Sequence, residues 1–296
     1  MPSANKERRL AVLGSPIGHS QSPALHRAAY EALSLPWLYE SAEVRSENLT
    51  AFIEQCGAEW RGLSLTMPLK QVVMPLLDST DRVATMAGTA NTLLFEDADP
   101  DGAAGGRRVQ RGFNTDVAGI VRALAAVGFT GANYVHILGG GATAASAMVA
   151  AAELGAERVL LSVRSLERSA WLEPLAHTLG MRIAMRPLGI ADRSLVIPEL
   201  VVSTLPGGSE TGTLFTASTR RSALLFDVAY DPWPSDLARA WDEVGGRVLS
   251  GLSMLVHQAL LQVRVFVSGD PLEPLPDEPS VLAAMLEAVG LESPQV

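Results

Sequence analysis

Lys70 and Asp116 are the residues of this chain best suited to moving a proton. Lys70 closes the stretch "SLTMPLK", four residues after Thr66, and Asp116 closes "GFNTD", two residues after Asn114. An ammonium and a carboxylate at the edge of a cofactor can pass a proton to and from a substrate oxygen. Taken singly, each has a plainer reading: Lys70 as a solvated helix residue, Asp116 as a helix N-cap. Asn91 in "AGTANTL" is a further polar candidate, and the stretch "GSPIGHSQSPALH", Gly14 to His26, supplies several more. There Ser22 before Pro23 reads as an N-cap followed by proline at the first helical position, which leaves Ser20 without a structural role.

A second constellation suits a nucleotide. "LGGGATAAS" lies between the apolar run "YVHIL" and an alanine-rich helical pattern. Gly139, Gly141 and Ala144 match the G-x-G-x-x-G/A spacing in a strand–turn–helix context. Such a turn lets backbone approach a pyrophosphate, whose charge then sits at the helix N-terminus. A methyltransferase turn for S-adenosylmethionine is the competing reading. The end of the next strand decides between nicotinamide cofactors: "SVRSLER" offers Arg164, Ser165 and Arg168, with no acid before Glu167. Guanidinium groups suit a 2′-phosphate, and an Asp or Glu there would suit unphosphorylated ribose, so NADP(H) is expected over NAD(H). The alternative is that both arginines merely decorate a helix start.

The elements that must position these groups read as two α/β domains. Up to "NTLLF", short apolar runs alternate with helical patterns at Pro23–Leu33 and Glu47–Cys56, which predicts a small mixed sheet. The polar stretch Glu96–Gln110 is expected to be an exposed hairpin loop. Beyond it, "NYVHIL", "RVLLSV", "LVVST", "ALLFDV" and "GRVLSG" read as parallel strands covered by helices on both faces. Helical patterns follow at Ser253–Val267 and Ser280–Val289 and are expected to return to the first domain. The expected division is 1–115 with 251–296 for substrate, and 116–250 as a Rossmann-like cofactor domain.

Composition bounds the rest. Hydrophobic content of 48% with 19% charged residues describes a globular chain with a generous core. A net charge of −9 disfavours nucleic acid and anionic membrane as partners. Ala123 to Ala152 holds no Asp, Glu, Lys or Arg, but five glycines interrupt it, so no membrane span is expected. The start has too short an apolar run for a signal peptide. Cys56 is the only cysteine and the five histidines lack ligand spacing, so neither a disulfide nor a metal site is expected, in keeping with a cytoplasmic location. His19, His26 and His257 are read as structural.

The ordered set "GSPIGHSQSP", "SLTMPLK", "AGTANTL", "GFNTD", "GGGA", "VRS", "YDPWPS" and "GLSMLVHQA" resembles the shikimate dehydrogenase family over most of the chain, most closely its actinobacterial versions. The resemblance implies reversible NADPH-dependent reduction of 3-dehydroshikimate to shikimate, on the route to aromatic amino acids. It implies Ser20 and Ser22 on the substrate carboxylate, Thr66, Asn91, Asp116 and Gln258 on ring hydroxyls, and Tyr230 nearby. Lys70 would be the acid–base residue, paired with Asp116. NADP(H) would lie on Gly139, Gly140, Gly141, Ala142 and Thr143, with Arg164, Ser165 and Arg168, and with Val228 and Gly251 also in contact, Gly251 bordering the nicotinamide. A homodimer is the candidate assembly.

Departures from the family pattern include Ser64 where relatives often have Asn, Val163 where they often have Asn before the cofactor arginine, Ala142 for a further glycine, and "VVSTLPGG" for the usual Asn-Ala-Thr. None touches Lys70 or Asp116. Two alternatives stand beside the main reading. One is a quinate or aminoshikimate dehydrogenase of the same family, against which the paired serines speak. The other is a catalytically silent nucleotide-binding sensor, which would have no need of a proton donor.

Overall fold

The computed structural model describes residues 6–97, 108–190, 196–212 and 215–291. They form two compact units, one of Met1–Gly119 with Val256–Val296 and the other of Ile120–Leu255. In the first unit the strands are β1 (Arg8–Gly14), β2 (Trp37–Glu43), β3 (Trp60–Leu65), β4 (Ser79–Thr80), β5 (Thr92–Asp97) and β6 (Arg108–Phe113). They pair in the order β2-β1-β3-β5-β6-β4. β1 lies parallel to β2 and β3, while β5 runs antiparallel to both β3 and β6. This is the expected mixed sheet. The β5–β6 pair forms the expected hairpin but extends into both ends of the expected loop, pairing Glu96 with Val109 and Asp97 with Arg108; the tip lies outside the described residues.

Helices α1 (Ser22–Ala32), α2 (Leu49–Glu54), α3 (Leu69–Val72) and α4 (Arg82–Ala87) connect these strands. α5 (Asp116–Ala126) leads from this unit into the next. The second unit holds β7 (Tyr134–Leu138), β8 (Arg158–Val163), β9 (Arg182–Pro187), β10 (Leu200–Ser203), β11 (Leu224–Asp227) and β12 (Val248–Ser250). All pair in parallel, in the order β12-β11-β10-β7-β8-β9. That is the strand order of dinucleotide-binding folds, with its reversal between β7 and β10. Its helices are α6 (Ala142–Glu153), α7 (Leu166–Ser169), α8 (Leu172–Thr178), α9 (Ala217–Ser222) and α10 (Asp236–Asp242).

The chain re-enters the first unit along α11 (Gly251–Ser268) and ends with α12 (Glu278–Ala288). The joints expected at 115 and 250 fall at the first residues of α5 and α11, and the units divide about a turn further along. α11 is long and apolar enough to cross a membrane by composition, but 67% of it is buried inside the protein. Its Arg264 grips Glu278 at the start of α12, with Nε 2.6 Å from Oε2. The run from Ala123 to Ala152 becomes the end of α5, β7 and α6, not a single helix.

Each unit has its own core. In the first, Leu13, Leu49, Leu63, Leu69 and Leu93 pack with no exposed surface. In the second, fully buried Trp241 fills the space beneath β10 and β11, and its indole N–H donates to the Ala223 carbonyl at 3.0 Å. Burying an aromatic of this size is among the larger single contributions to a core.

His26 carries a pH dependence. It has no exposed surface, stacks on Tyr39 at 3.9 Å between ring centroids, and is pulled down to about 3 by burial. The folded chain therefore stays neutral there while the unfolded chain takes up a proton below its ordinary value of 6.5. Stability from this site is complete above pH 6.5 and declines as the pH falls toward 3. The loss is about 1.4 kcal/mol per pH unit, so about 2 kcal/mol at pH 5. Urea unfolding at pH 7.5 and pH 5 should show a smaller acid loss in His26→Gln than in the parent. Equal losses would show that His26 is protonated in the folded chain.

Candidate active site

Three strand ends of the first unit converge on one polar cluster. After β3, the Leu69 N–H returns to the Thr66 carbonyl at 2.8 Å, and fully buried Leu69 anchors the short α3. This turns Lys70 inward, and its own carbonyl takes the Ala90 N–H at 2.8 Å. Asn91 next to it is held between strands, its N–H on Phe113 O at 3.0 Å and its carbonyl on Leu65 N at 2.8 Å. Sheet pairing thus sets Lys70, Asn91 and the end of β6 side by side.

The side chains complete the cluster. Lys70 Nζ lies 2.6 Å from Asp116 Oδ2, with side chains only 12% and 3% exposed. Asp116 Oδ1 accepts from Asn91 Nδ2 at 2.9 Å. The same amide nitrogen lies 2.8 Å from Thr115 Oγ1 and 3.1 Å from Gln258 Oε1, so its two protons are shared among three acceptors. Asn91 Oδ1 accepts from Thr92 Oγ1 and from Thr115 N. Asp116 is not the cap of α5: Asn114 Oδ1 takes the N–H groups of Asp116 and Val117 at 3.0 and 3.4 Å. The Asp116 carboxylate is therefore spared for Lys70. A charge pair this buried is tolerable because hydrogen bonds satisfy its remaining lone pairs.

The opening motif lies against the Thr66 turn. Ser15 N–H donates to Met67 O, and Thr66 N–H to Leu13 O, both at 2.9 Å. One expectation is corrected here: Ser22 is not the N-cap of α1. Gln21 holds that position, and Ser22 and Pro23 are the first helical residues. Ser20 Oγ accepts the Ser22 N–H at 3.3 Å. An acceptor two residues upstream meets the first orphan donor of the helix, so the buried Ser22 hydroxyl is not consumed by capping. His26 is structural as expected, between Tyr30 and Gln262.

The second unit carries the glycine turn at the end of β7. Gly139 has φ +117°, open to glycine and not to other residues. A Cβ on Gly140 would stand 2.1 Å from Ser169 Oγ, whereas one on Gly141, the N-cap of α6, would meet nothing within 4 Å. Backbone bare on that side, at the start of a twelve-residue helix, fits a pyrophosphate. Ala142 and Thr143 form the first turn of α6. Beyond β8, Ser165 caps α7 by accepting the Arg168 N–H at 3.2 Å. Arg164 and Arg168 are exposed, with Arg164 Nη2 on Ser209 Oγ at 3.2 Å. Among the described residues, no carboxylate follows β8 before Glu167 in α7, so Arg164, Ser165 and Arg168 fit a phosphorylated ribose. Val228 and Gly251, at the ends of β11 and β12, are in direct contact, and half-buried Tyr230 follows two residues after Val228.

Of the expected site residues, hydrogen bonds join Lys70, Asp116, Asn91 and Gln258 directly. Thr66 is tied by a backbone bond to Leu13 at the end of β1, Ser20 and Ser22 lie in the same unit, and the cofactor set and Tyr230 belong to the other. Thr92, Thr115 and Gln262 were not anticipated. Gln262 had a signal: it stands four residues after Gln258 on a largely apolar helix, hence on the same face.

A six-stranded parallel sheet with a glycine turn at its first strand, joined to a mixed-sheet unit with a buried lysine–carboxylate pair, defines a nicotinamide-dependent oxidoreductase of two domains. Residues 12–93 match the sequence model of the shikimate dehydrogenase substrate binding domain. A shikimate dehydrogenase (NADP(+)) of Methanothermobacter thermautotrophicus is 30% identical over 269 residues, covering 88% of this chain and 91% of that one. Its counterpart in Oleidesulfovibrio alaskensis is 33% identical, covering 86% and 88%. The Mycobacterium tuberculosis shikimate dehydrogenase structure superposes with a TM-score of 0.75 at 34% identity, covering 95% and 99%. The Thermus thermophilus shikimate 5-dehydrogenase in complex with NADP(H) and shikimate gives 0.73 at 29%, again covering 95% and 99%. The chain belongs to the shikimate dehydrogenase family.

Proposed function

We propose that this protein catalyses the reversible NADPH-dependent reduction of 3-dehydroshikimate to shikimate in aromatic amino-acid biosynthesis. The observation that carries the reading is the buried Lys70–Asp116 pair, 2.6 Å apart, braced by Asn91. Bound NADPH supplies the hydride to the ring ketone. Lys70 Nζ gives a proton to the oxygen that becomes a hydroxyl, and takes one back in the oxidative direction. Its positive charge also stabilises negative charge developing on that oxygen. Asp116 orients Lys70 and accepts from a ring hydroxyl, while Asn91, Gln258 and Thr66 position the others. Ser20 and Ser22 hold the carboxylate at the start of α1, where helix N–H groups and the dipole favour an anion. Tyr230 lies beside the ring. The glycine turn, Arg164, Ser165 and Arg168 hold NADP(H), with Val228 and Gly251 at the nicotinamide end.

The test is to follow nicotinamide reduction with shikimate against quinate, and with NADP+ against NAD+. Shikimate with NADP+ should be the preferred pair. Reduction with quinate alone would reassign the substrate, and none with any pair would sink the enzyme reading. Replacing Arg164 and Arg168 by alanine together should narrow the NADP+ over NAD+ preference by about tenfold or more, as losing charge-assisted phosphate bonds does. An unchanged preference would remove these arginines from phosphate recognition.

A further inference from the structure

We propose that Gln262 is a positioning residue that fixes the orientation of the Asn91 amide, and through it the Lys70–Asp116 pair. This rests on the functional reading above. Gln262 is 2% exposed, and its hydrogen bonds go to His26, Ser64, Asn91 and Thr92. Its Oε1 accepts from Ser64 Oγ at 3.0 Å and lies 3.2 Å from His26 Nε2. Its Nε2 donates to Thr92 Oγ1 at 3.0 Å and to the Asn91 carbonyl at 2.9 Å.

The proton directions follow one from another, because a hydroxyl has a single proton to give. Tyr39 Oη donates to Ser64 Oγ at 2.7 Å, so the Ser64 proton is directed to Gln262 Oε1. That acceptor end committed, Gln262 must present its NH2 to Thr92. The Thr92 oxygen receives that N–H, so its own proton points to Asn91 Oδ1 at 2.9 Å. Together with the Thr115 N–H, which donates to the same Asn91 oxygen at 3.0 Å, this leaves Asn91 to offer Nδ2 to Asp116 Oδ1. A flipped Asn91 would set an amide oxygen against the carboxylate. Every donation from Tyr39 onward points the same way and ends on the acid that holds Lys70. A residue needed only for packing would not require an amide here; methionine fills nearly the same volume but leaves the Thr92 hydroxyl free to turn.

The experiment compares wild type, Gln262→Met, Thr92→Val and the double variant in shikimate oxidation, well below each unfolding midpoint. Each single change should lower kcat/KM for shikimate by about tenfold while KM for NADP+ stays within about twofold. The double variant should be no worse than the worse single, because both cut the same chain. Thr92→Val, which exchanges only the hydroxyl for a methyl group, carries the test if Gln262→Met does not fold. Folded variants with wild-type kcat/KM, or a double loss equal to the product of the singles, would overturn the role alone. A wild-type protein inactive with shikimate and NADP+ would overturn both this role and the functional reading.

Discussion

Replacing Lys70 by alanine should lower kcat for shikimate oxidation by about a thousandfold, or about 4 kcal/mol, while substrate affinity stays nearly intact. The reason is positional. The ammonium is needed where charge develops on the ring oxygen, whereas Ser20, Ser22, Asn91 and Gln258 account for most of the proposed ground-state contacts. The change also strands Asp116, 3% exposed, without its partner cation. Breaking a buried pair in this way costs about 3–5 kcal/mol of stability, so the variant must be shown to be folded at the assay temperature. Lys70→Ala combined with Asp116→Asn relieves the stranded charge and should recover stability without recovering turnover. Steady-state kinetics beside thermal unfolding separate the two effects. Near-normal kcat in folded Lys70→Ala would remove Lys70 from the acid–base role.

The second large effect is expected at Gly251. A Cβ there would stand 1.9 Å from Val228 O, 2.3 Å from Val228 C and 2.7 Å from its Cα. All three are backbone atoms at the end of β11, tied into the sheet by the Val228 N–H to Ser203 O bond at 2.9 Å, so they cannot swing aside as a side-chain tip would. Overpacking of this kind costs about 1–3 kcal/mol or more. Gly251→Ala should therefore lower Tm by about 5 °C or more. It should also raise KM for NADP+, because Val228 and Gly251 are proposed to lie at the nicotinamide end. Gly141→Ala is the contrasting case. Nothing lies within 4 Å of its Cβ, so Tm should barely move, and any loss would be confined to cofactor affinity. A Gly251→Ala protein with unchanged Tm would show that the β11–β12 contact yields.

Sequence patterning exposed the strands that are apolar throughout and hid those that mix polar with apolar residues; position in the sheet did not decide it, since edge strand β12 was legible and interior β6 was not. β1, β7, β8, β10 and β11 are flanked by neighbours and read as continuous apolar runs, because both faces are covered. β2 and β9 sit at sheet edges, and their sequences "WLYESAE" and "RIAMRP" mix polar with apolar residues. Neither was anticipated. Ser22 was misplaced by one residue for a related reason. Ser-Pro at a helix start is a good capping signal, but the acceptor that Ser20 supplies from outside the helix is visible only once the chain has turned.

The amino-acid sequence by itself determined the glycine turn with its helix, the parallel run of strands around it, and the arginines that follow β8. Each depends on residues close together in the chain, where φ preference, helix capping and apolar periodicity act. The tertiary structure alone decided that Lys70 meets Asp116, 46 residues away, that Asn91 braces the acid, and that Asn114 takes over the capping of α5. Those pairings exist because β3, β5 and β6 lie side by side in one sheet. No local preference encodes that adjacency; it follows from burying the apolar faces of distant segments together.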